Sequence, residues 1–293
     1  MNFMTVSSFK FSVDRGGTFT DVYAEVPGEQ GFRVVKLLSE DPQNYPDAPR
    51  EGIRRILESV TGDSFPKDCI PADKIDWIRM GTTVATNALL ERKGAETVLV
   101  TTKGFRDSLE LGREQRYDMY DLFIKKASPL VPRFLRASVS ERIDWDGKVL
   151  RPIKIEELND IMSSFEQEGV QSVAVCLIHG YRNAEHELKI RDYLNKIHPG
   201  LYVSISSEVS PEVREHERAS TTATNAYVQP AVDRYLDGLE LGFKSMESKS
   251  TIYIMLSGGG ITTVDMARRA PVRMVESGPA AGAIAGSFYA KLC

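Results

Sequence analysis

The 293-residue chain has few cysteines, few histidines, two tryptophans and no long stretch of one chemical character. Cys69, Cys176 and Cys293 are far apart and odd in number, which fits a reducing compartment better than a disulfide framework. Cys176 sits in the apolar run Val173–Leu177 and reads as a core thiol rather than a nucleophile. His179, His186, His198 and His216 show no metal-binding spacing, so no zinc site is expected. No apolar stretch approaches the ~20 residues of a membrane span. The opening MNFMTVSSFKF lacks a basic segment followed by a long apolar one, so no secretory leader is expected. A formal net charge of −4 without a basic run argues against a nucleic-acid surface. There is no G-x-S-x-G elbow for serine hydrolysis and no repeat at a solenoid period. These absences predict a soluble cytoplasmic protein with neither nucleic-acid nor membrane partners.

What is present is an ordinary core composition, 42% hydrophobic and 27% charged, in a length that suits one large or two ordinary domains. Phe9–Asp14, Thr18–Glu25 and Phe32–Leu37 read as strands, and Asp41–Pro49 as a loop. A helix follows with Ile53, Ile56, Leu57 and Val60 on one face. Strands at Trp77–Met80, Val98–Thr101, Val173–Leu177, Tyr202–Ser206 and Ile252–Leu256 alternate with helices at Val84–Lys93, Ile155–Glu168 and Ala184–Ile197. Asp144–Gly147 reads as a hairpin turn. Ser210-Pro211 reads as a helix start, with Pro230 as a break or kink before a further stretch to Leu239. Strands first and β-α units after predict a mixed α/β sheet.

The most informative stretch is Asp14-Arg15-Gly16-Gly17-Thr18-Phe19-Thr20-Asp21, a tight turn between two strands. Glycines let a ligand approach the backbone, and successive N–H groups in a turn form a nest for phosphate oxygens. Alternation puts the hydroxyls of Thr18 and Thr20 on one face. Asp14 and Asp21 flank the turn, where carboxylates can hold Mg²⁺. The plain alternative is a hairpin with a common Gly-Gly turn.

Four other stretches are weighed in the same way. Gly81-Thr82-Thr83 stands at a strand end and helix start, with Asn87 one turn on: a ligand-facing loop, or simply a threonine N-cap. Ser257-Gly258-Gly259-Gly260 follows a strand and allows close approach of a ligand, or marks a turn. Gly278, Gly282 and Gly286 recur every four residues, which most simply means close helix packing. Arg113 lies in a charged cluster, Arg113–Asp118, that reads as a substrate gate or a solvated loop.

The octet Asp14–Asp21 resembles the first phosphate motif of the actin/hexokinase/Hsp70-type ATPases and, more narrowly, the amino-terminal end of the hydantoinase A/5-oxoprolinase family. KLLSEDPQNYPDAPREGIR (36–54), GTTVATNALLERKG (81–94), SEVSPEVREHERASTTATNAY (207–227) and ESGPAAG (276–282) resemble further blocks of that family. GREQRYDMYDLF (112–123) is more similar to hydantoinase A or acetone/acetophenone-carboxylase relatives. The resemblance implies ribonuclease-H-like lobes, with a family amino-terminal domain over 1–228 and the incomplete start of an ATPase domain over 229–293. It implies ATP-dependent opening of a cyclic amide, foremost 5-oxo-L-proline to L-glutamate. Phosphorylation would activate the amide carbonyl before water attacks, with Mg²⁺ at Asp14 and Asp21. Asp14 and Thr18 would serve the chemistry. Arg15, Gly16, Gly17, Thr18, Thr20, Ser257–Gly260 and Gly278 would hold the nucleotide. Gly81, Thr82, Thr83, Asn87 and Arg113 would meet a lactam or hydantoin. A dimer or a hydantoinase-B-type partner subunit is implied as well. Carboxylase, kinase and non-catalytic binding roles remain open within the same resemblance. The family's second Asp-x-Gly-Gly-Thr loop is missing from these residues, which predicts a fragment of a longer enzyme with little turnover alone.

Overall fold

A computed structural model describes residues 8–67, 70–113, 118–244 and 251–292. The chain divides into two compact units, one from Met1–Lys93 plus Ala231–Cys293 and the other Gly94–Pro230. The first unit opens with β1 (Phe9–Arg15), β2 (Phe19–Glu25), β3 (Phe32–Leu38), α1 (Ala48–Thr61), β4 (Ile75–Thr82) and α2 (Val84–Leu90). The second contains β5 (Thr97–Thr102), α3 (Ser108–Leu111), β6 (Arg136–Val139), β7 (Arg142–Ile143), β8 (Val149–Arg151), α4 (Glu157–Ser163), β9 (Ser172–Cys176), α5 (Glu185–Ile197), β10 (Tyr202–Ile205) and α6 (Ser206–Val209). Helix α7 (Glu215–Lys244) runs through the division, and β11 (Thr251–Met255), β12 (Ile261–Thr263), α8 (Val264–Arg269) and α9 (Ser277–Leu292) complete the first unit.

The first unit's sheet has the order β12-β11-β4-β1-β2-β3. β1, β2 and β3 form an antiparallel meander, while β4 runs parallel to β1 and β11 parallel to β4. Strict alternation gives this sheet two unlike faces. Phe11, Val13, Val22, Ala24, Leu37, Ile78 and Met80 are buried on one face. Ser12, Asp14, Tyr23 and Arg79 lie on the other and line an open cavity. Helix α1 brings Ile53, Ile56 and Leu57 to the core and packs on β2 and β3. Gly52 allows this approach, because a Cβ there would sit 2.5 Å from Val22 Cγ2. The predicted loop over 41–49 runs two residues too far, since α1 starts at Ala48. Asp47 accepts the Arg50 N–H at 3.0 Å as N-cap, and Pro49 occupies the first turn, where its missing N–H costs nothing. Glu51 is buried and bonded by Arg54 and Arg55; burial alone would push its carboxyl up, but the two guanidiniums hold it below the usual range.

The second unit is built on a parallel sheet of order β10-β9-β5-β6, with β7 and β8 as a separate hairpin. Its central strands read as continuous apolar runs because both faces are covered. Val98–Val100 and Val173–Val175 are fully buried with Leu158, Ile190, Leu194, Ala219 and Ala223. Cys176 is a buried free thiol, as the apolar run predicted, and burial pushes it up to about 11. Gly94 admits the ring of Tyr227: a Cβ would meet Tyr227 Cε1 at 2.1 Å, and Ala95 N–H donates to Tyr227 O at 2.9 Å.

The helix start expected at Ser210-Pro211 is displaced. Ser206–Val209 is a short helix of its own, Arg214 turns the chain at φ 81°, and α7 begins at Glu215. Pro230 does not end α7, which stays one helix to Lys244. Ala226, Val228, Val232 and Leu236 around Pro230 are all fully buried, and that packing outweighs the backbone bond the proline removes. Among the described residues no helix is long and apolar enough to cross a membrane.

Candidate functional site

The hairpin tip between β1 and β2 is closed by Gly16 N–H donating to Phe19 O at 3.0 Å. Neither Gly16 nor Gly17 has positive φ. Their missing Cβ atoms matter for proximity instead. A Cβ on Gly16 would stand 3.1 Å from Phe19 O, and one on Gly17 would stand 3.5 Å from Asn87 Nδ2. Ser39, which the sequence reading did not single out, braces the tip from behind. Its hydroxyl donates to Gly16 O at 2.7 Å and its N–H to Thr18 O at 2.9 Å.

Thr20 requires a correction. It is fully buried, with its hydroxyl 3.0 Å from Ser39 Oγ, so it supports the tip and does not share an open face with Thr18, which is exposed. The physical reason is alternation: Thr20 shares its face with Val22 and Ala24, which pack in the core. Asp21 turns the other way and gives both oxygens to Lys36 Nζ, at 2.8 and 3.0 Å. The Arg15 guanidinium lies over the Tyr235 ring, 4.9 Å from its centre. Burial pushes the Tyr235 hydroxyl up to about 12, and that hydroxyl donates to Met80 Sδ at 2.9 Å.

Asp14 is the carboxylate that faces the cavity. Its neighbours strip part of its hydration and raise its carboxyl above the ordinary aspartate range; the charge of Asp21 adds to this and Lys36 opposes it. In the sheet Asp14 pairs with Asp21 on one side and Gly81 on the other. The absence of a side chain at Gly81 leaves the space beside Asp14 Oδ1 open, 3.4 Å from where a Cβ would stand.

The Gly81–Thr83 segment leads from β4 into α2. Thr83 is the residue before the helix, but its hydroxyl does not cap it; it accepts from Asn87 Nδ2 at 3.2 Å. Thr82 is buried, accepts the Val84 N–H at 3.3 Å and offers its carbonyl to Ser277 Oγ at 3.5 Å. Glu276 N–H donates to Thr86 Oγ1 at 3.2 Å, which joins the start of α9 to α2. The glycine turn after β11 is compact: Gly259 has φ 82° and faces Ile284, where a Cβ would come within 2.7 Å. Ser257 is turned away, with both its N–H and its hydroxyl on Arg273 O.

The cavity has a volume of about 720 Å³ and takes its walls from β1, β2, β4, the glycine turn and α9. Of the residues expected at a ligand, Asp14, Gly81, Thr82, Thr83, Gly259 and Gly278 line it. Asn87 stands at the hairpin tip. Arg113 belongs to the second unit, where its Nε donates to Glu217 at 2.6 Å. Close helix packing does not explain the Gly278, Gly282 and Gly286 stripe: a Cβ at each would meet open space, and Gly278 and Gly282 border the cavity. Ser12, Tyr23, Arg79 and Ser277 are wall residues that the sequence reading missed. Arg79 lies 4.0 Å from the ring centre of Trp77, a cation–π contact that holds its guanidinium on the cavity face. Its signal was the period of two that places it on the same strand face as Gly81. Among the described residues no three His, Cys, Asp or Glu side chains could together hold a metal. Asp14 is the one carboxylate among the described residues that line the cavity, and a lone carboxylate fits a Mg²⁺ held mainly by water and phosphate.

Residues 10–198 match the hydantoinase/oxoprolinase N-terminal region and residues 218–292 match hydantoinase/oxoprolinase. The chain is 41% identical to 5-oxoprolinase 1 of Arabidopsis thaliana over 94% of its own length and 23% of that protein. It is 31% identical to the caprolactamase subunit alpha of Pseudomonas jessenii, covering 41% of that chain. The crystal structure of that ATP-dependent caprolactamase superposes with a TM-score of 0.79 over 92% of this chain and 39% of the other. A nucleotide-free acetone carboxylase shares the fold, with a TM-score of 0.80, 24% identity and coverage of 97% of this chain and 40% of that one. The chain spans about a quarter of the length of the curated 5-oxoprolinases it matches. The two matched regions, which together take in most of the chain and every residue that lines the cavity, make it a member of the hydantoinase/oxoprolinase family.

Proposed function

We propose that this chain supplies the nucleotide-binding lobe of an ATP-dependent cyclic-amide hydrolase, with 5-oxo-L-proline as the foremost substrate and L-glutamate as product. The observation that carries the reading is convergence: Asp14, the Gly81–Thr83 turn, Gly259 and Gly278 come from four separate sequence blocks and line one cavity. The strand order β3-β2-β1-β4-β11, antiparallel for the first three and parallel after, supports a ribonuclease-H-like lobe. In this reading the braced tip at Gly16–Thr18 holds phosphate oxygens, and Asp14 holds Mg²⁺ through water. The raised Asp14 carboxyl fits that role, since a divalent cation offsets its lost hydration and, after that, the repulsion from Asp21.

A lactam is a poor electrophile. Transfer of the γ-phosphoryl group to its carbonyl oxygen breaks the bond to ADP and leaves a carbon that water can attack. One water opens the ring at the C–N bond, and a second releases phosphate from the acyl phosphate. The products are the amino acid, ADP and phosphate. The protein's part is positioning and charge stabilisation. The relative named subunit alpha supports a partner subunit of the hydantoinase B type in the working enzyme. The test is product analysis with ATP and 5-oxo-L-proline, with the partner subunit supplied. ADP, phosphate and glutamate in equal amounts are expected. Caprolactam opening or ketone carboxylation instead would reassign the substrate, and failure to bind ATP would overturn the reading.

A further inference from the structure

Three charges stand in one row across the first unit's sheet. Asp14 in β1 pairs with Gly81 in β4 and with Asp21 in β2, and Asp21 pairs in turn with Lys36 in β3. Directly opposed residues of an antiparallel pair share a face and set their Cβ atoms ~5 Å apart. The two carboxylates are therefore close enough to meet one cation. Lys36 prevents this by giving its ammonium to both oxygens of Asp21, at 2.8 and 3.0 Å. The same ammonium lies over the Phe19 ring, 5.2 Å from its centre. Asp21 is half-buried and Lys36 is exposed. An ion pair this open to water contributes little to stability. Its consequence lies in charge: with Lys36 the row offers a cation one free carboxylate, Asp14, and without Lys36 it would offer two. Two carboxylates attract a divalent cation by themselves, and added protein oxygens favour Ca²⁺, which takes six to eight of them. One carboxylate leaves most positions to water and phosphate, the habit of Mg²⁺.

We propose that Lys36 is the specificity-determining residue of the cation site. By occupying Asp21 it withholds the second carboxylate. Divalent cation then binds together with the nucleotide and not ahead of it, and Mg²⁺ is preferred over Ca²⁺. The inference rests on the reading of Asp14 as the carboxylate on the metal side, and the in-register row carries the rest.

The experiment measures Mn²⁺ binding to the full chain by electron paramagnetic resonance, without nucleotide, in the parent and in Lys36→Met. Methionine keeps an unbranched apolar stem over Phe19, and circular dichroism checks that each variant is folded. A unit charge acting on a divalent cation through ~6 Å of water is worth about tenfold in affinity. Lys36→Met should therefore bind Mn²⁺ about tenfold more tightly than the parent, and Ca²⁺ should displace that Mn²⁺. Adding either Asp21→Asn or Asp14→Asn should return the affinity to the parent's, because both carboxylates are needed for the gain. Unchanged Mn²⁺ affinity in Lys36→Met, or a gain that survives Asp21→Asn, would overturn the proposal. Loss of ATP binding in Lys36→Met without a gain in Mn²⁺ would make the lysine a phosphate ligand and overturn it equally. Calorimetric titration of the parent with ATP and Mg²⁺ separates the two readings. No binding there sinks the nucleotide assignment, while the Mn²⁺ comparison, made without nucleotide, still decides the role of Lys36. Bound ATP with an indifferent Lys36→Met sinks this inference alone.

Discussion

At the scale of single residues, strand alternation decides which polar groups face the ligand. Asp14 shares its face with Ser12, opposite Phe11 and Val13, and so reaches the cavity. Thr20 shares its face with Val22 and Ala24 and is lost to the core. Both outcomes were legible in the sequence, because the apolar partners two residues away are plain. The capture of Asp21 by Lys36 was not, since it depends on the β2–β3 register. The raised Asp14 carboxyl yields a signed prediction. The folded state holds this proton more tightly than the unfolded chain, so its stabilising effect is full below the ordinary aspartate range. That effect is lost as pH rises through the raised value. Ionised Asp14 is therefore a net cost at neutral pH, as expected of a group placed for a ligand rather than for stability. Asp14→Asn should melt higher than the parent at pH 7, by no more than about 2 °C, with the gap closing as pH falls into the carboxylate range. The same variant should lose Mg·ATP binding. Differential scanning fluorimetry over pH and calorimetric titration measure the two; a lower melting point would show that Asp14 is structural.

At the scale of elements, the family blocks meet in space for reasons the chain order conceals. GTTVATNALLERKG ends on Gly94 and the later block ends on Tyr227, and these two residues occupy one packing site. The glycine is needed for the ring, not for an unusual backbone angle. Gly94→Ala should destabilise the fold by about 1–3 kcal/mol through overpacking, read as a lowered urea midpoint with an unchanged slope. Replacing Tyr227 with Ala in the same chain should recover part of the alanine's steric cost while adding that of the vacated ring space. A Gly94→Ala midpoint equal to the parent's would refute this account. Strand and helix identities were mostly legible, because long apolar periods dominate local propensity. Two of the misjudged boundaries, at Asp47 and Glu215, lie where a capping side chain or a single left-handed residue, Arg214, decides the start of a helix.

At the scale of the whole molecule, the two units differ in how the chain builds them. Gly94–Pro230 is one uninterrupted segment with a parallel sheet and its own buried cluster. The other unit needs both ends of the sequence, since β11 pairs with β4. Residues 94–230 expressed alone should therefore fold, with a cooperative urea transition followed by circular dichroism. A broad, non-cooperative transition would show that this core needs the remainder of the chain.

The amino-acid order by itself determined the α/β class, the hairpin with its two flanking carboxylates, the inert core thiol at Cys176 and the family blocks. Each of these rests on local period or on a short motif. Only the tertiary structure decided that Asp21 and Ser257 turn to protein partners, that Ser39 braces the tip, and that Arg113 pairs with Glu217 in the second unit. Those outcomes depend on which strand lies beside which and on where a distant carbonyl or ammonium arrives, and pairing across a sheet is set by contacts between residues far apart in the chain.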